Sequence, residues 1–418
     1  MTIRVRGQMM GSIKMNERIH TIDIIRGFAL FGILIANMIT FKTPVFTEAS
    51  GLIEGASLPA GDLNAVLTLL TAFFVDGKFY PMFSMLFGLG FYIFYSRLIQ
   101  KDLPAKTLFR RRLVFLLLLG LVHLFFIWSG DILHTYALAG FFLPLFINRS
   151  VKVIKIWAIA MLGAGIAVFS VLVLLSTLFM QFTVSEGVES IESLRSTELA
   201  ASTLMATGSF SEIFQFRLTN EVLPILLQVV LSLPTILPLF LIGLYFGKKE
   251  MFQDIGGNLR RWKKVMWIGL VVGAPVVGLS VAVTYNVFDW EPFLTAFIGG
   301  GLNMIGGPFL MLFYVASIVL ITRKQNIERL LMPFAAVGRM ALTNYLMQSI
   351  IAVIIFNGYG FGLFGQVSKT QGVLIAIAIY AIQVVLSHFL LKRYPQGPME
   401  SLWRKWTYSK VQKQSKAA

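Results

Sequence analysis

The chain has no cysteine and only four histidines, and charged residues make up 13% of its 418 residues. Without cysteine there is no disulfide, no thiol nucleophile and no thiolate metal site. No HExxH, GxSxG or Walker sequence occurs, so zinc-peptidase, serine-hydrolase and P-loop chemistries find no motif here. The charge content lies well below the quarter expected of a soluble domain. Acidic side chains are the scarcer sign, 20 Asp and Glu against 36 Lys and Arg, for a net charge of +16.

What is abundant is apolar: 56% of the residues are hydrophobic, and 37 are Phe. About ten stretches are long enough to cross a hydrocarbon core, for which roughly 20 residues are needed. They lie near 22–41, 78–96, 112–128, 131–148, 156–180, 222–247, 265–287, 293–321, 331–357 and 371–391. The predicted fold is all-α, a polytopic membrane helical bundle with both termini cytoplasmic.

The basic residues are not arranged as a nucleic-acid surface. With the N-terminus inside, most Lys and Arg fall in inside segments. Lys42, Lys78, Arg195, Arg217 and Lys369 are outside, Arg26 and Arg339 lie within spans, and acidic residues show the reverse bias. This is the positive-inside pattern. It orients the chain against an anionic cytoplasmic leaflet and makes membrane lipids, not nucleic acid, the expected partner. Arg4, Arg6, Lys14 and Arg18 precede the first apolar stretch, as in a signal peptide. That stretch is long, contains Arg26 and lacks a small-residue cleavage site, so it reads as a retained helix.

Three regions follow: a cytoplasmic segment at 1–21, a transmembrane domain at 22–391 and a cytoplasmic interfacial tail at 392–418. Two extracytoplasmic segments are long, 42–77 and 181–221. In the first, Leu63–Val75 reads as a short apolar helix on the membrane surface. The second is rich in Glu and reads as a solvated helix pair, with a lid over an outward-facing site as the alternative. "LPTILPLFLIG" and "FIGGGLNMIGGPFLM" suggest broken sixth and eighth spans with a cavity nearby, or packing kinks. In the tail, Pro398 and Glu400 suit a helix start, with Trp403 and Trp406 as interfacial anchors.

Ionisable side chains inside a membrane are costly and are usually paired or functional. Asp23 and Arg26 are three apart in "IDIIRGFAL", able to pair or to present Arg26 to an anionic ligand from the cytoplasm. "VHLFFIWSGDILHTYALAG" holds His123, Asp131 and His134. A neutral imidazole carries one donor and one acceptor, so His123 could act as base and then acid. The short "WSG" turn lets Asp131 return beside it and orient the ring, with His134 on the same face as Asp131. The alternative is that these groups only hydrogen-bond the hairpin. His123 and Asp131 are expected to line a cavity open towards the outer half of the membrane. Phe79, Phe83, Phe87 and Phe91 recur every fourth residue, with Ser84 and Gly88 as a close-packing surface, and Lys78 lies at the outer mouth. Arg339 and Thr343 share one face of the ninth span, Asn344 and Gln348 another, so this helix needs protein or a wet cavity around it. His388 reads as snorkelling.

"IDIIRGFALFGILIAN", "KFYPMFSMLFGLG", "RRRLVFLLLLGLVHLFFIWSGDILHTYAL", "GRMALTNYLMQS" and "GPMESLWR" occur in this order. Together they resemble family 418 of bacterial domains of unknown function, the YeiB family, over nearly the whole chain. The resemblance maps the family's motifs onto Asp23, Arg26, Asn37, Lys78, Phe79, Ser84, Arg111, His123, Asp131, Tyr136, Arg339, Asn344, Gln348 and Glu400. More distantly the chain is similar to transmembrane acyltransferases of the heparan-alpha-glucosaminide N-acetyltransferase and acyltransferase-3 types. Those move an acyl group from a cytoplasmic thioester to an acceptor, using a first-helix Arg and a histidine. In the former type that histidine precedes the second of these helices. "LTAFFVDGKFYP" has none here, which leaves the role to His123.

The resemblance implies a multi-pass protein of the bacterial cell membrane that acylates an extracytoplasmic or lipid-linked acceptor. His123 would be the base and Asp131 its orienting partner, with Asp23, Lys78, Ser84, His134, Tyr136, Asn344 and Gln348 lining the substrate path. Arg26, Arg111 and Arg339 would hold an anionic donor such as acyl-coenzyme A, and no tightly bound cofactor is expected. A carrier or flippase for a small or lipidic metabolite, and a noncatalytic membrane partner, are the alternatives. Self-association is compatible with all three.

Overall fold

The structure is a computed structural model that describes residues 19–44 and 50–417. The basic residues at positions 4, 6, 14 and 18 lie outside the described residues. All regular structure among those described is helical: α1 His20–Lys42, α2 Ser50–Glu54, α3 Asp62–Phe74, α4 Phe79–Gln100, α5 Ala105–Phe126, α6 Leu133–Gly140, α7 Val151–Ser185, α8 Ile191–Thr207, α9 Phe210–Arg217, α10 Leu223–Lys248, α11 Leu259–Thr284, α12 Pro292–Ile321, α13 Gln325–Arg339, α14 Ala341–Phe356, α15 Lys369–Arg393 and α16 Pro398–Ala417.

Seven helical segments among the described residues are long and apolar enough to cross a membrane, eight when α13 and α14, bent by 75°, count as one. The protein is a multi-pass membrane protein. Two more of the expected stretches are short or charged. α5 opens with Arg110, Arg111 and Arg112, and α6 is an eight-residue helix continued by a 3-10 turn at Leu143–Leu145. Both nonetheless run the depth of the bundle. α5 meets α16 at its start and Arg217 at its end. The segment after α6 reaches the end of α10, where Lys248 Nζ donates to the Arg149 carbonyl at 2.7 Å.

α1 is the central helix, packed against α4, α12, α13, α14 and α15. Glycines set the closest crossings. A Cβ at Gly88 would meet the Phe240 carbonyl oxygen, and one at Gly243 the Met85 carbonyl oxygen, so α4 and α10 touch backbone to backbone. Gly27 and Gly338 do the same for α1 and α13. Lipid is as apolar as a helix surface, so close van der Waals approach through small residues drives such association. The Phe ladder of α4 is core: Phe87 stacks on Phe240 at 4.6 Å, and Phe91 lies 4.5 Å from Phe109.

The irregularities fall elsewhere than the prolines suggest. α10 runs unbroken through Pro234 and Pro238, and a π-turn at Leu218–Val222 precedes it instead. α12 runs unbroken through Pro308, and its glycines serve packing: Gly299 faces Thr284, and Gly306 faces Val277. The ninth span bends at Met340. Leu63–Val75 does not lie apart on the membrane surface. α3 packs against α11 and α15 and joins α4 in one 39-residue apolar segment, interrupted at 75–78.

That interruption encloses Lys78. Its ammonium donates to Ala72 O at 2.8 Å, Asp76 O at 2.5 Å and Asn303 Oδ1 at 3.0 Å, and the side chain has no exposed surface. All three ammonium donors are used, and Ala72 belongs to the last turn of α3, where carbonyls favour a cation. Lys78 therefore stitches the break instead of lining an open mouth.

Candidate functional site

The site begins with the end of α5. The amides of Ile127 and Trp128 both donate to the His123 carbonyl, at 3.0 and 2.8 Å, which closes the helix and starts the turn. Gly120 lies one turn before His123. A Cβ there would meet the backbone N of His134 and lie 3.0 Å from Asp131 Oδ2, so glycine lets the returning chain press against α5. Asp131 consequently reaches His123, with Nδ1 and Oδ1 3.0 Å apart. Its other oxygen accepts from His134 Nδ1 at 2.8 Å and from the His134 backbone N at 3.0 Å. His123, Asp131 and His134 are all buried.

A carboxylate only accepts, so each imidazole donates through Nδ1–H and keeps its lone pair on Nε2. His134 Nε2 takes the Thr135 hydroxyl at 3.1 Å. His123 Nε2 is buried without a hydrogen-bond partner among the described residues, as is Trp128 Nε1. The Tyr345 ring lies 5.5 Å from His123, and the Tyr345 hydroxyl accepts from the Ile132 backbone at 3.4 Å, bracing the residue after Asp131. Tyr345 is silent in the sequence because a tyrosine in an apolar helix reads as packing.

A small cavity of about 10 Å³ lies beside the turn, bordered by Thr40, Trp128, Ser129, Arg217, Glu221 and Asn357 among others but not by His123, Asp131 or His134. α9 and the π-turn cover it. Arg217 donates to the carbonyls of Ile127 at 2.8 Å and Leu124 at 3.1 Å, and through Nε to Glu221 at 3.3 Å. Both members of this pair are buried, at 4% and 6% exposure. The segment 181–221 thus ends as a cover on the bundle, not as a wholly solvated pair, because its last charges satisfy the terminal carbonyls of α5.

At the end of the bundle that carries the tail, Arg26 pairs with Asp23 at 3.3 Å. Arg112 lies within electrostatic reach of both Arg26 and Glu400, and its guanidinium sits 3.6 Å over Trp403. Arg111 is turned outward to the Trp406 carbonyl and Ser409, and Arg339 donates to the Pro395 carbonyl at 3.1 Å. Glu400 accepts from the amides of Leu342 and Thr343 at 2.7 and 3.1 Å and from the Thr343 hydroxyl at 2.6 Å. It caps α14 just past the bend. Trp403 and Trp406 tie the tail to α5, since their indoles donate to Arg112 O and Arg111 O.

The remaining candidates join helices. Asn344 donates to Val337 O and Ser387, and Gln348 donates to Gln383, whose own amide reaches Asn344 O. This seam couples α14 to α15. Gln383 and Ser387, four apart on α15, were readable as a polar pair on one face. Tyr136 and Ser84 share a 2.6 Å hydrogen bond, and both hydroxyls reach Tyr80 O. His388 is exposed. The structure therefore groups His123, Asp131 and His134 in one place and Asp23, Arg26 and Arg112 in another. Their α5 members, His123 and Arg112, are separated by about 16 Å at the helical rise.

A family profile described as "Protein of unknown function (DUF418)" matches residues 246–410. The uncharacterised protein YxaH of Bacillus subtilis (strain 168) is 35% identical over 404 residues, spanning 94% of this chain and 95% of its own. An uncharacterised 39.9 kDa protein in the amylase 3' region of Bacillus acidopullulyticus is 28% identical over 404 residues, spanning 96% and 97%. The uncharacterised protein YeiB of Escherichia coli (strain K12) is 26% identical over 410 residues, spanning 94% and 96%. Full-length similarity at this level places the chain in the DUF418 family, to which YxaH and YeiB are its relatives.

Proposed function

We propose that the protein is an acyltransferase of the bacterial cell membrane. It takes an acyl group from a cytoplasmic thioester, an acyl-coenzyme A, and passes it to a hydroxyl or amine of an extracytoplasmic or lipid-linked acceptor. One observation carries the reading: His123 presents an unengaged Nε2 lone pair while Asp131 holds Nδ1–H from behind. That is the arrangement of a general base. The acceptor gives its proton to Nε2 and its oxygen or nitrogen attacks the thioester carbonyl. The carbon–sulfur bond then breaks, and the proton leaves with the sulfur. Asp131 offsets the positive ring in between.

Arg111 and Arg339 contact the tail, so Arg26 and Arg112 are the better candidates for the donor's phosphates. The flexible arm of a coenzyme A thioester suits the distance along α5. The test uses purified protein in lipid nanodiscs, acyl-coenzyme A and candidate acceptors, read as thiol release. The chain has no cysteine, so any new thiol belongs to the coenzyme. Acceptor-dependent release that disappears in His123→Ala is expected. Full release by a folded His123→Ala protein would end the proposal. The buried Arg217–Glu221 pair at the end of α5 favours a second reading, a carrier with the same residues as its translocation site. Solute uptake by proteoliposomes without thioester consumption distinguishes it.

A further inference from the structure

We propose that Arg97 is the third cation of an anion site that Arg26 and Arg112 begin, that Trp403 of the tail helix holds this site in shape, and that it takes a diphosphate group. The inference rests on the reading of Arg26 and Arg112 as contacts of the donor's phosphates, and it names the residue and the ligand chemistry that complete them. The site is laid out along one face of α4. A Cβ at Gly90 would lie 3.6 Å from Arg26 Nη2, and the Arg112 guanidinium carbon lies 5.0 Å from the centre of the Phe94 ring. Arg97 follows three residues later. Positions 90, 94 and 97 share one helix face and span about 10 Å at the helical rise. Side chains on a helix lean towards its start, which takes Arg97 towards Phe94.

The chain itself leaves these guanidiniums largely unmatched. Arg26 binds Asp23 through Nη1, and its side chain remains 31% exposed. Arg112 makes no hydrogen bond or ion pair among the described residues; its guanidinium meets only the rings of Phe94 and Trp403. Arg97 Nε is buried without a hydrogen-bond partner among the described residues. Glu400, the carboxylate within electrostatic reach of Arg112, has both oxygens occupied by α14. Arg97 and Arg112 are both partly exposed, so a ligand can reach them. An aromatic ring engages the face of a guanidinium and leaves its N–H edges for a bidentate contact with phosphate. A row of such forks over two helical turns is longer than a single phosphate can contact. A diphosphate, with its charge spread along a chain, suits it.

Trp403 grips Arg112 twice. Its indole N–H donates to the Arg112 carbonyl at 2.8 Å, and its ring lies 3.6 Å from the guanidinium of the same residue. One residue of α16 thus fixes both the backbone and the side chain of Arg112. Trp403 acts through Arg112 and is a positioning residue, so the site is complete only when the tail is docked.

The experiment is calorimetric titration of the full chain in nanodiscs of zwitterionic phosphatidylcholine. The probes are coenzyme A, which is water-soluble, and farnesyl diphosphate, which is lipidic. Pantetheine and farnesol serve as their counterparts without phosphate and should bind at least a hundredfold more weakly. Arg97→Gln should weaken the diphosphate probe by about tenfold to a hundredfold, the worth of one charge-assisted hydrogen bond. It should also flatten the dependence of affinity on salt, which a merely structural residue would leave unchanged. Trp403→Ala should weaken binding by up to about tenfold, and Trp403→Phe, which keeps a ring under Arg112, should restore most of it. Wild-type protein that binds neither diphosphate probe overturns the proposal. So does a folded Arg97→Gln protein with wild-type affinity, or, if that variant does not fold, a folded Trp403→Ala protein with wild-type affinity. Binding of farnesyl diphosphate alone keeps the site and removes the coenzyme as its ligand. Neither probe carries an acyl group, so a chain that binds coenzyme A as expected yet consumes no thioester keeps the site and loses the acyltransferase reading.

Discussion

Asp131 accepts from two imidazoles and one amide with two oxygens, and the chemistry of the site depends on that arrangement. Asp131→Asn puts an amide N–H where a ring needs an acceptor. Initial rates of thioester consumption should fall by a factor on the order of 10²–10⁴, the range of a positioned acid–base pair. His134→Ala should cost less, since the backbone N–H at that position still holds Oδ2. Arg217 carries a stability prediction. Removing it as Arg217→Ala leaves Glu221 buried and unpaired and frees two terminal carbonyls of α5. The loss should be about 3–5 kcal/mol, as for other broken buried pairs, read as a lower unfolding midpoint in detergent.

At the level of helices, the α4–α10 crossing admits no side chain at Gly88 or Gly243. Gly88→Ala should destabilise by about 1–3 kcal/mol, the usual cost of overpacking, and thermal unfolding would show it. The hairpin of α5 and α6 was legible because its evidence is local: a glycine-containing turn, two histidines and an aspartate within a dozen residues. So was the Asp23–Arg26 pair, a matter of helical spacing. The roles of Lys78, Arg217 and Glu400 were not, because each bonds to carbonyls or amides that any residue could supply. A backbone partner leaves no trace in side-chain identity. The prolines of α10 misled for a related reason: a proline removes one backbone donor, but neighbouring helices decide whether the axis breaks.

For the whole molecule, the expected sidedness is open to direct test, since the chain has no cysteine of its own. Lys106→Cys and Gly256→Cys, at exposed positions, should be shielded from a membrane-impermeant maleimide in intact cells, whereas Ser57→Cys and Glu189→Cys should react. Labelling in the opposite sense would invert the bundle. The tail adds a different kind of dependence, one of time. Glu400 caps α14 from 58 residues beyond Leu342. A chain emerging from a ribosome delivers α14 to the membrane before its cap exists, and α15 must be laid down in between. The bent ninth span is therefore completed only after α15, by the segment that carries Glu400. Until Glu400 arrives, the first-turn amides of Leu342 and Thr343 lack this acceptor, so the order in which the chain is made decides when the bend can settle.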